Sequence, residues 1–390
     1  GDCTVSEATE PLTAGGTAAP APDGDGFRLV AREGLVPRRR TAGGIATVLG
    51  PPLRLAYRLI SDNFTLLLLL GIAGAVVGVY HKGGGVLTGE QIRNAMVLGA
   101  IYALVAIGYT MVYGIIELIN FAHGDVFAAS GFFSIFLADQ LRLGPLATSG
   151  VLGLLGALAI LFPLSMLAAG LLGMLIERVA YRRLRDAPRL APLITAIGVS
   201  FFIEGILLVR AGPDNVATDN ANWISGGFTV AGVAISSKDI FVVGTALVLM
   251  FALGAFVRTT LLGKAMRATA QDRSAALLCG ININRTISAT FFIGSALAAA
   301  GALIYSINYG DVKFDLGFRL GIIAFTAAVL GGIGNIVGAG IGGFIIGIIY
   351  VFGGSLAGGA WSESLIFAIL VLILTFRPVG LFGVDVTTRA

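Results

Sequence analysis

The chain has 390 residues, 56% of them hydrophobic and 12% charged, with 56 glycines, a mean hydropathy of +0.90 and a formal net charge of +4. A soluble domain carries about a quarter of its residues charged, so this composition excludes one and points to an all-α, polytopic membrane helix bundle. The basic residues gather in loops between apolar runs, a pattern that sets membrane topology and argues against a nucleic-acid-binding face.

Residues 1–60 read as a disordered cytoplasmic tail. The first 43 are rich in Gly, Ala, Pro and Thr without apolar periodicity, and cannot bury enough surface to offset ordering entropy. Arg38, Arg39 and Arg40 follow, and Arg54 and Arg58 then fall four apart, as on an interfacial amphipathic stretch facing anionic lipid. Residues 61–90 hold an extra membrane segment, 64–80, and a loop. A cleaved signal peptide is the rival reading of that segment, with Ala73-Gly74-Ala75 as its small-residue site.

Further apolar segments are expected at 95–116, 120–138, 148–176, 191–210, 239–257, 286–308, 319–331, 336–353 and 361–376, about ten membrane segments in all. The loop 177–188 carries Arg178, Arg182, Arg183 and Arg185, and the loop 258–285 carries Arg258, Lys264, Arg267, Arg273 and Arg285. Both belong on the cytoplasmic side. Residues 211–237 have no Lys or Arg and belong outside, so ten crossings put both termini, including the tail 384–390, in the cytoplasm.

Two junctions interrupt the apolar pattern. The first, Glu117-Leu-Ile-Asn-Phe-Ala-His-Gly-Asp125, places Asn120, His123 and Asp125 at membrane depth, where polar groups are tolerated beside protein or a wet cavity. The second is Gly331-Gly-Ile-Gly-Asn335. Glycine interruptions at corresponding places of two halves point to a transport path; close helix packing explains the same glycines. Asn120 and Asp125 are also good helix N-caps, so capping and path lining both stand at this point.

No catalytic constellation is evident. Gly263-Lys264 is followed by Ala265 and lacks the earlier glycine of a phosphate-binding loop, so ATP is not hydrolysed on this chain. Cys3 and Cys279 give neither a disulfide framework nor a metal-ligand spacing, and two histidines, His81 and His123, do not build a metal site. The basic loop has its own pattern: 264–270 is helix-compatible, Asp272 or Ser274 can cap a short helix through Ala275, Ala276, Leu277 and Leu278, and Gly280 can end it. Such a loop is a dock for a soluble partner, or an ordinary positive-inside loop.

Four stretches, in this order, carry a resemblance: Asn120-Phe-Ala-His-Gly-Asp125; Gly263-Lys-Ala-Met-Arg-Ala-Thr-Ala-Gln-Asp-Arg273 through Gly280; Ala324-Phe-Thr-Ala-Ala-Val-Leu-Gly-Gly-Ile-Gly-Asn335; and Arg377-Pro-Val-Gly-Leu-Phe-Gly383. Residues 91–383 resemble the permease subunits of branched-chain amino acid ABC importers, a family that also includes urea and short-amide permeases. The resemblance implies two cytoplasmic ATPases holding ATP and magnesium, a second permease chain, same or related, and an external substrate-binding protein. It implies a bacterial inner-membrane location and an ATPase-coupling loop containing Lys264, Arg267, Asp272, Arg273, Ala275, Ala276 and Gly280. Ser274 stands where the importer signature has glutamate, and no Ile-x-Leu-Pro follows. The first ninety residues exceed the family pattern.

Asn120, His123, Asp125 and Asn335 are the expected substrate-path residues of an alternating-access cycle driven through the coupling loop. A self-contained channel or proton-coupled secondary transporter using Glu117, His123 and Asp125 is the alternative, and a structural membrane subunit is a third.

Overall fold

A computed structural model describes residues 51–383 apart from 186 and 189, without the side chains of 51–56 and 58. The expectations for Cys3, for Arg38 to Arg40, for the rest of 1–50, for the Arg54/Arg58 face and for 384–390 lie outside the described residues.

Hydrocarbon forces each spanning segment to satisfy its own backbone, which makes helices of the apolar runs. Pro51–Ile116 is helical except at Gly84, whose φ of 71° and ψ of −165° no helix contains. Glycine adopts that backbone without a Cβ clash. It divides the stretch into α1, residues 51–83, and α2, residues 85–116. There follow α3 (Ala122–Gln140), α4 (Leu143–Thr148), α5 (Val151–Ile176), α6 (Leu190–Ala211) and α7 (Ser237–Thr259). Two short helices, α8 (Leu261–Gln271) and α9 (Arg273–Leu278), lead to α10 (Ile283–Tyr309), α11 (Leu316–Gly331), α12 (Ile336–Ala357) and α13 (Ser362–Phe376).

Each expected apolar segment falls on one of these helices. Among the described residues, however, seven stretches are long and apolar enough to cross a membrane, not ten. Leu59–Ile116 counts once although it holds two expected segments; α3 is not among the seven, and α11, with 16 residues, is an apolar helix too short to qualify. The apolar reading of 148–176 also merges two elements, since α4 ends at Thr148 and α5 begins at Val151.

Helix α12 shows how the chain turns at Gly84. Its start lies beside the end of α2, where Gly334 approaches Gly114, and further along Gly343 meets Ala103 and Gly347 meets Gly99. Its last turn lies beside the end of α1: Gly78 faces Leu356, and Lys82 Nζ donates to the Leu356 carbonyl at 3.2 Å. At the other end of α1, Tyr57 and Ser61 donate to the carbonyls of Thr375 and Phe376, at 2.9 and 3.0 Å. So α1 and α2 run antiparallel, with Gly84 at their turn. In lipid, helices have no hydrophobic drive toward one another and associate through close packing of small residues. A Cβ on Gly343 would sit 2.4 Å from the Ala103 Cα, and one on Gly347 2.6 Å from the Ala95 carbonyl oxygen.

Helix α10 occupies the centre, with buried residues along most of its length from Thr286 to Ile307. Strands are confined to the end of the bundle away from the arginine-rich loops. There β1 (Val216–Ala217) pairs antiparallel with β4 (Asp311–Val312), and β2 (Gly227–Val230) with β3 (Val233–Ser236). The β2–β3 turn uses Ala231 and Gly232, both at positive φ, as a right-twisted two-residue hairpin requires. A capping box of Ser236 and Asp239 then starts α7.

Candidate functional site

The first polar junction folds back into the bundle. Helix α2 ends at Ile116, and Glu117, exposed and at φ 58°, breaks its direction. Asn120, His123 and Asp125 then come together in and before the first turn of α3, each no more than 3% exposed. The Asn120 Oδ1 accepts from the Tyr181 hydroxyl at 3.0 Å, and its carbonyl accepts the His123 N–H at 3.1 Å. The His123 ring lies edge-on to Tyr109, centroids 4.7 Å apart, in a space that glycine leaves: a Cβ on Gly108 would come within 2.5 Å of Nε2. Ser200 Oγ of α6 donates to the Asp125 carboxylate, and Gly124 packs backbone-to-backbone on Gly317 and Gly321 of α11.

Two polar atoms in this cluster, His123 Nε2 and Asp125 Oδ1, are buried without a hydrogen-bond partner. An unpaired buried polar group costs about 1–3 kcal/mol. The arrangement therefore stores free energy that a wetter conformation would release. Asn335 lies apart from the other three, at the end of α2 near Gly114, roughly 9 Å of helix rise from Gly108. Its Oδ1 accepts from Gly338 N–H at 3.0 Å, capping α12, and its Nδ2 donates to the Phe382 carbonyl at 2.9 Å.

The arginine-rich end is organised around a carboxylate that charge patterning did not single out. After Ile176 the backbone widens into a π-helical turn, Glu177–Tyr181, an irregularity often found at functional sites. The Glu177 side chain is fully buried. It accepts from Ser288 Oγ at 2.7 Å and Arg182 Nη2 at 2.9 Å, and pairs with Arg185. Arg185 in turn donates to Asn284 Oδ1 at 2.6 Å. Burial pulls the Arg185 guanidinium below its ordinary value, and the Glu177 charge partly restores it. Tyr181, at the end of the same turn, ties this cluster to Asn120. The one sequence signal for it was the spacing of Glu177, Arg182 and Arg185 itself; Ser288 lies 111 residues away.

Beside it, α8 and α9 form a helical elbow. Asp272, rather than Ser274, caps α9, accepting from Ala275 N–H at 3.0 Å, and Gly280 at φ 81° ends the unit with its N–H bonded to the Leu277 carbonyl. Arg273 reaches back to the Ile115 carbonyl, 2.7 Å from Nη2, and Arg267 to that of Val257, so both brace the elbow against the bundle. Lys264 and Ala275 are exposed, whereas Ala276 packs inward. Leu277 and Leu278 are 62% and 89% exposed. Burying such side chains is worth about 1.5–3 kcal/mol each. No group of three or more His, Cys, Asp or Glu among the described residues could hold a metal ion.

These features recur in known proteins. Residues 91–374 match the model of the family described as branched-chain amino acid transport system, permease component. The chain is 41% identical over 297 residues to the high-affinity branched-chain amino acid transport system permease protein BraD of Pseudomonas aeruginosa, covering 75% of this chain and 95% of the relative. It is 39% identical over 300 residues to the corresponding protein LivH of Escherichia coli K12, with the same coverage. A more distant relative, 26% identical over 242 residues, is the autoinducer 2 import system permease protein LsrD of Escherichia coli O9:H4, covering 59% of this chain and 72% of that protein. No solved structure matches. A family match across residues 91–374, holding both junctions and the α8–α9 elbow, establishes that the chain belongs to the branched-chain amino acid transport permease family.

Proposed function

We propose that this chain is the membrane-spanning subunit of an ATP-driven importer that carries branched-chain amino acids across a bacterial inner membrane. The relatives with 39–41% identity, named for that transport, support the substrate class over the autoinducer named for the 26% relative. The observation that carries the reading is the α8–α9 elbow, braced by Arg267 and Arg273 and presenting Leu277 and Leu278 to solvent. Two ATPase subunits holding ATP and magnesium would dock on the elbows of a pair of permease chains, and an external binding protein would deliver substrate to the opposite end.

Chain direction supports ten crossings. Helices α1 and α2 form an antiparallel pair about Gly84, and α3 and α11 serve as shorter crossings whose ends are recessed within the bundle. With the arginine-rich loops cytoplasmic, both termini are cytoplasmic. The path proposed for substrate runs by Asn120, His123 and Asp125, which are sequestered in this conformation and become accessible when α3 and α11 part; Asn335 acts at its cytoplasmic end. A drive at α9 reaches this region through Arg273, whose partner Ile115 lies two residues before the junction.

Leu278→Glu tests the docking step. We expect ATPase subunits that co-purify with the native chain to be lost by at least tenfold, with ATP-dependent leucine uptake in proteoliposomes falling in parallel while the chain's own yield is unchanged. Full ATPase retention by the variant, or uptake by the chain alone without ATPases, would reject the importer reading.

A further inference from the structure

Beyond the transport reading, the arginine-rich end carries a cleft that none of the steps above uses. It encloses about 560 Å³ between the last turn of α5 and the start of α8, with α10 as its floor. The mouth is polar and cationic: Arg182, Arg285, Asn282 and Asn284 line it. The interior is apolar, formed by Met174, Leu262, Ala289, Phe292 and Ile293.

Two observations say what fits there. Charge is the first. Arg182 and Arg185 share Glu177, which leaves one positive charge beyond neutrality in that cluster. Arg285 adds a second: it is exposed and has no ion-pair partner among the described residues. The occupant's polar part is therefore anionic. Shape is the second. Leu171 and Leu167, one and two turns along α5 on the Met174 side, are 53% and 48% exposed, so the apolar wall continues from the cleft into the membrane. Further toward the opposite end, α5 and α7 meet at Phe162 and Phe241, ring centroids 6.4 Å apart, which closes the groove above. A wedge with a cationic mouth at the headgroup level and an apolar sleeve running into the hydrocarbon is complementary to an amphiphile lying along the membrane normal. A small hydrophilic anion would use the mouth and leave the sleeve bare.

We infer that this cleft binds one anionic phospholipid of the inner leaflet, its phosphate held by Arg285 and Arg182 and its acyl chain laid along Met174, Phe292 and Ile293. Basic pockets between helices at the cytoplasmic face bind anionic headgroups by the same physics. The site joins α5, α8 and α10, so the lipid bridges the Glu177 cluster to the first turn of the α8–α9 elbow.

The test uses the 390-residue chain purified in detergent and supplied with equimolar phosphatidylglycerol and phosphatidylcholine, with bound lipid counted by native mass spectrometry. The native chain should retain phosphatidylglycerol in preference to phosphatidylcholine. Arg285→Glu should lower phosphatidylglycerol retention at least fivefold. Ala289→Trp, which fills the sleeve and spares the mouth, should lower it to a similar degree. Equal melting temperatures of all three chains in phosphatidylcholine alone would exclude unfolding as the cause, and these results together would support the site. Retention unchanged in either variant would overturn it. So would release of the lipid by millimolar inorganic phosphate with Ala289→Trp unaffected, which marks a free-phosphate site. Absence of retained phosphatidylglycerol on the native chain, as when a second protein chain covers the cleft, would overturn it equally.

Discussion

The bundle is interrupted at residues 117–125 and at 331–335, and the two junctions are closed by opposite means. At 331–335 the closure is backbone on backbone. The Leu381 N–H donates to the Leu330 carbonyl at 2.7 Å, that of Phe382 to Gly331 at 3.2 Å, and Asn335 caps α12 while holding Phe382. At 117–125 the closure sequesters polar side chains, and His123 Nε2 and Asp125 Oδ1 stay unpaired. A joint with every group satisfied has nothing to gain from opening. A joint with two unsatisfied groups gains about 1–3 kcal/mol for each one that water or substrate reaches, which is a factor of roughly ten or more in the population of an opened state. The contrast assigns a static role to the second junction and a mobile one to the first.

The largest effect expected from this contrast is at Gly331. A Cβ there would lie 2.1 Å from the Gly338 carbonyl oxygen, with backbone on both sides of the clash. Gly331→Val should cost upwards of about 3 kcal/mol and abolish recovery of monodisperse protein on size-exclusion chromatography. Normal recovery would mean that the second junction yields, and the contrast would fail. Next is His123→Ala, where transport rather than stability is at issue. Removing the imidazole removes one stored penalty and one polar group from the proposed path, so leucine uptake per molecule should fall about tenfold at equal membrane abundance. Unchanged uptake would take His123 off the path.

How much of this was legible in sequence depends on the range of the interaction. Apolar length places helices well: 191–210 became Leu190–Ala211, and 336–353 became Ile336–Ala357. Local capping chemistry was equally legible, with Asp272 and Gly280 bounding α9. Crossing number was less so, because α3 and α11 are recessed and α1 turns into α2 at one glycine with no polar loop between them. The Glu177 cluster was hidden behind the positive-inside pattern: its arginines read as topology signals, and Ser288, its partner from α10, is 111 residues distant. Arg267 and Arg273 were read as docking charges, yet in the fold they brace the elbow. Whether Asn335 caps or lines a path was open from the sequence; the geometry shows the cap and the tether to Phe382 together.

That double role sets the third prediction. Asn335→Ala removes an N-cap worth about 1 kcal/mol and a hydrogen bond worth about 1 kcal/mol more. Membrane abundance and melting temperature should drop, with uptake per remaining molecule retained within a factor of two. A tenfold loss per molecule would place Asn335 in the same class as His123 and erase the distinction between the junctions.

The smallest effect, and the one that probes their connection, is Tyr181→Phe. The hydroxyl donates to Asn120 Oδ1 at 3.0 Å and joins the π-helical turn, with Glu177 four residues before it, to the polar junction. Its ring packs on Phe291 at 5.4 Å, a contact phenylalanine keeps. The static cost is then one hydrogen bond, about 1 kcal/mol, or a melting shift of about 2 °C in a chain of this size. If the turn only supports the junction, uptake per molecule should stay near the native value. If the Glu177 cluster holds the junction closed, loosening the tether favours the opened state: ATP-independent leak of leucine should rise two- to fivefold while ATP-driven uptake falls by less than half. We expect the second result, because Tyr181 links the widened helical turn to Asn120, and Asn120 lies three residues from the unpaired imidazole.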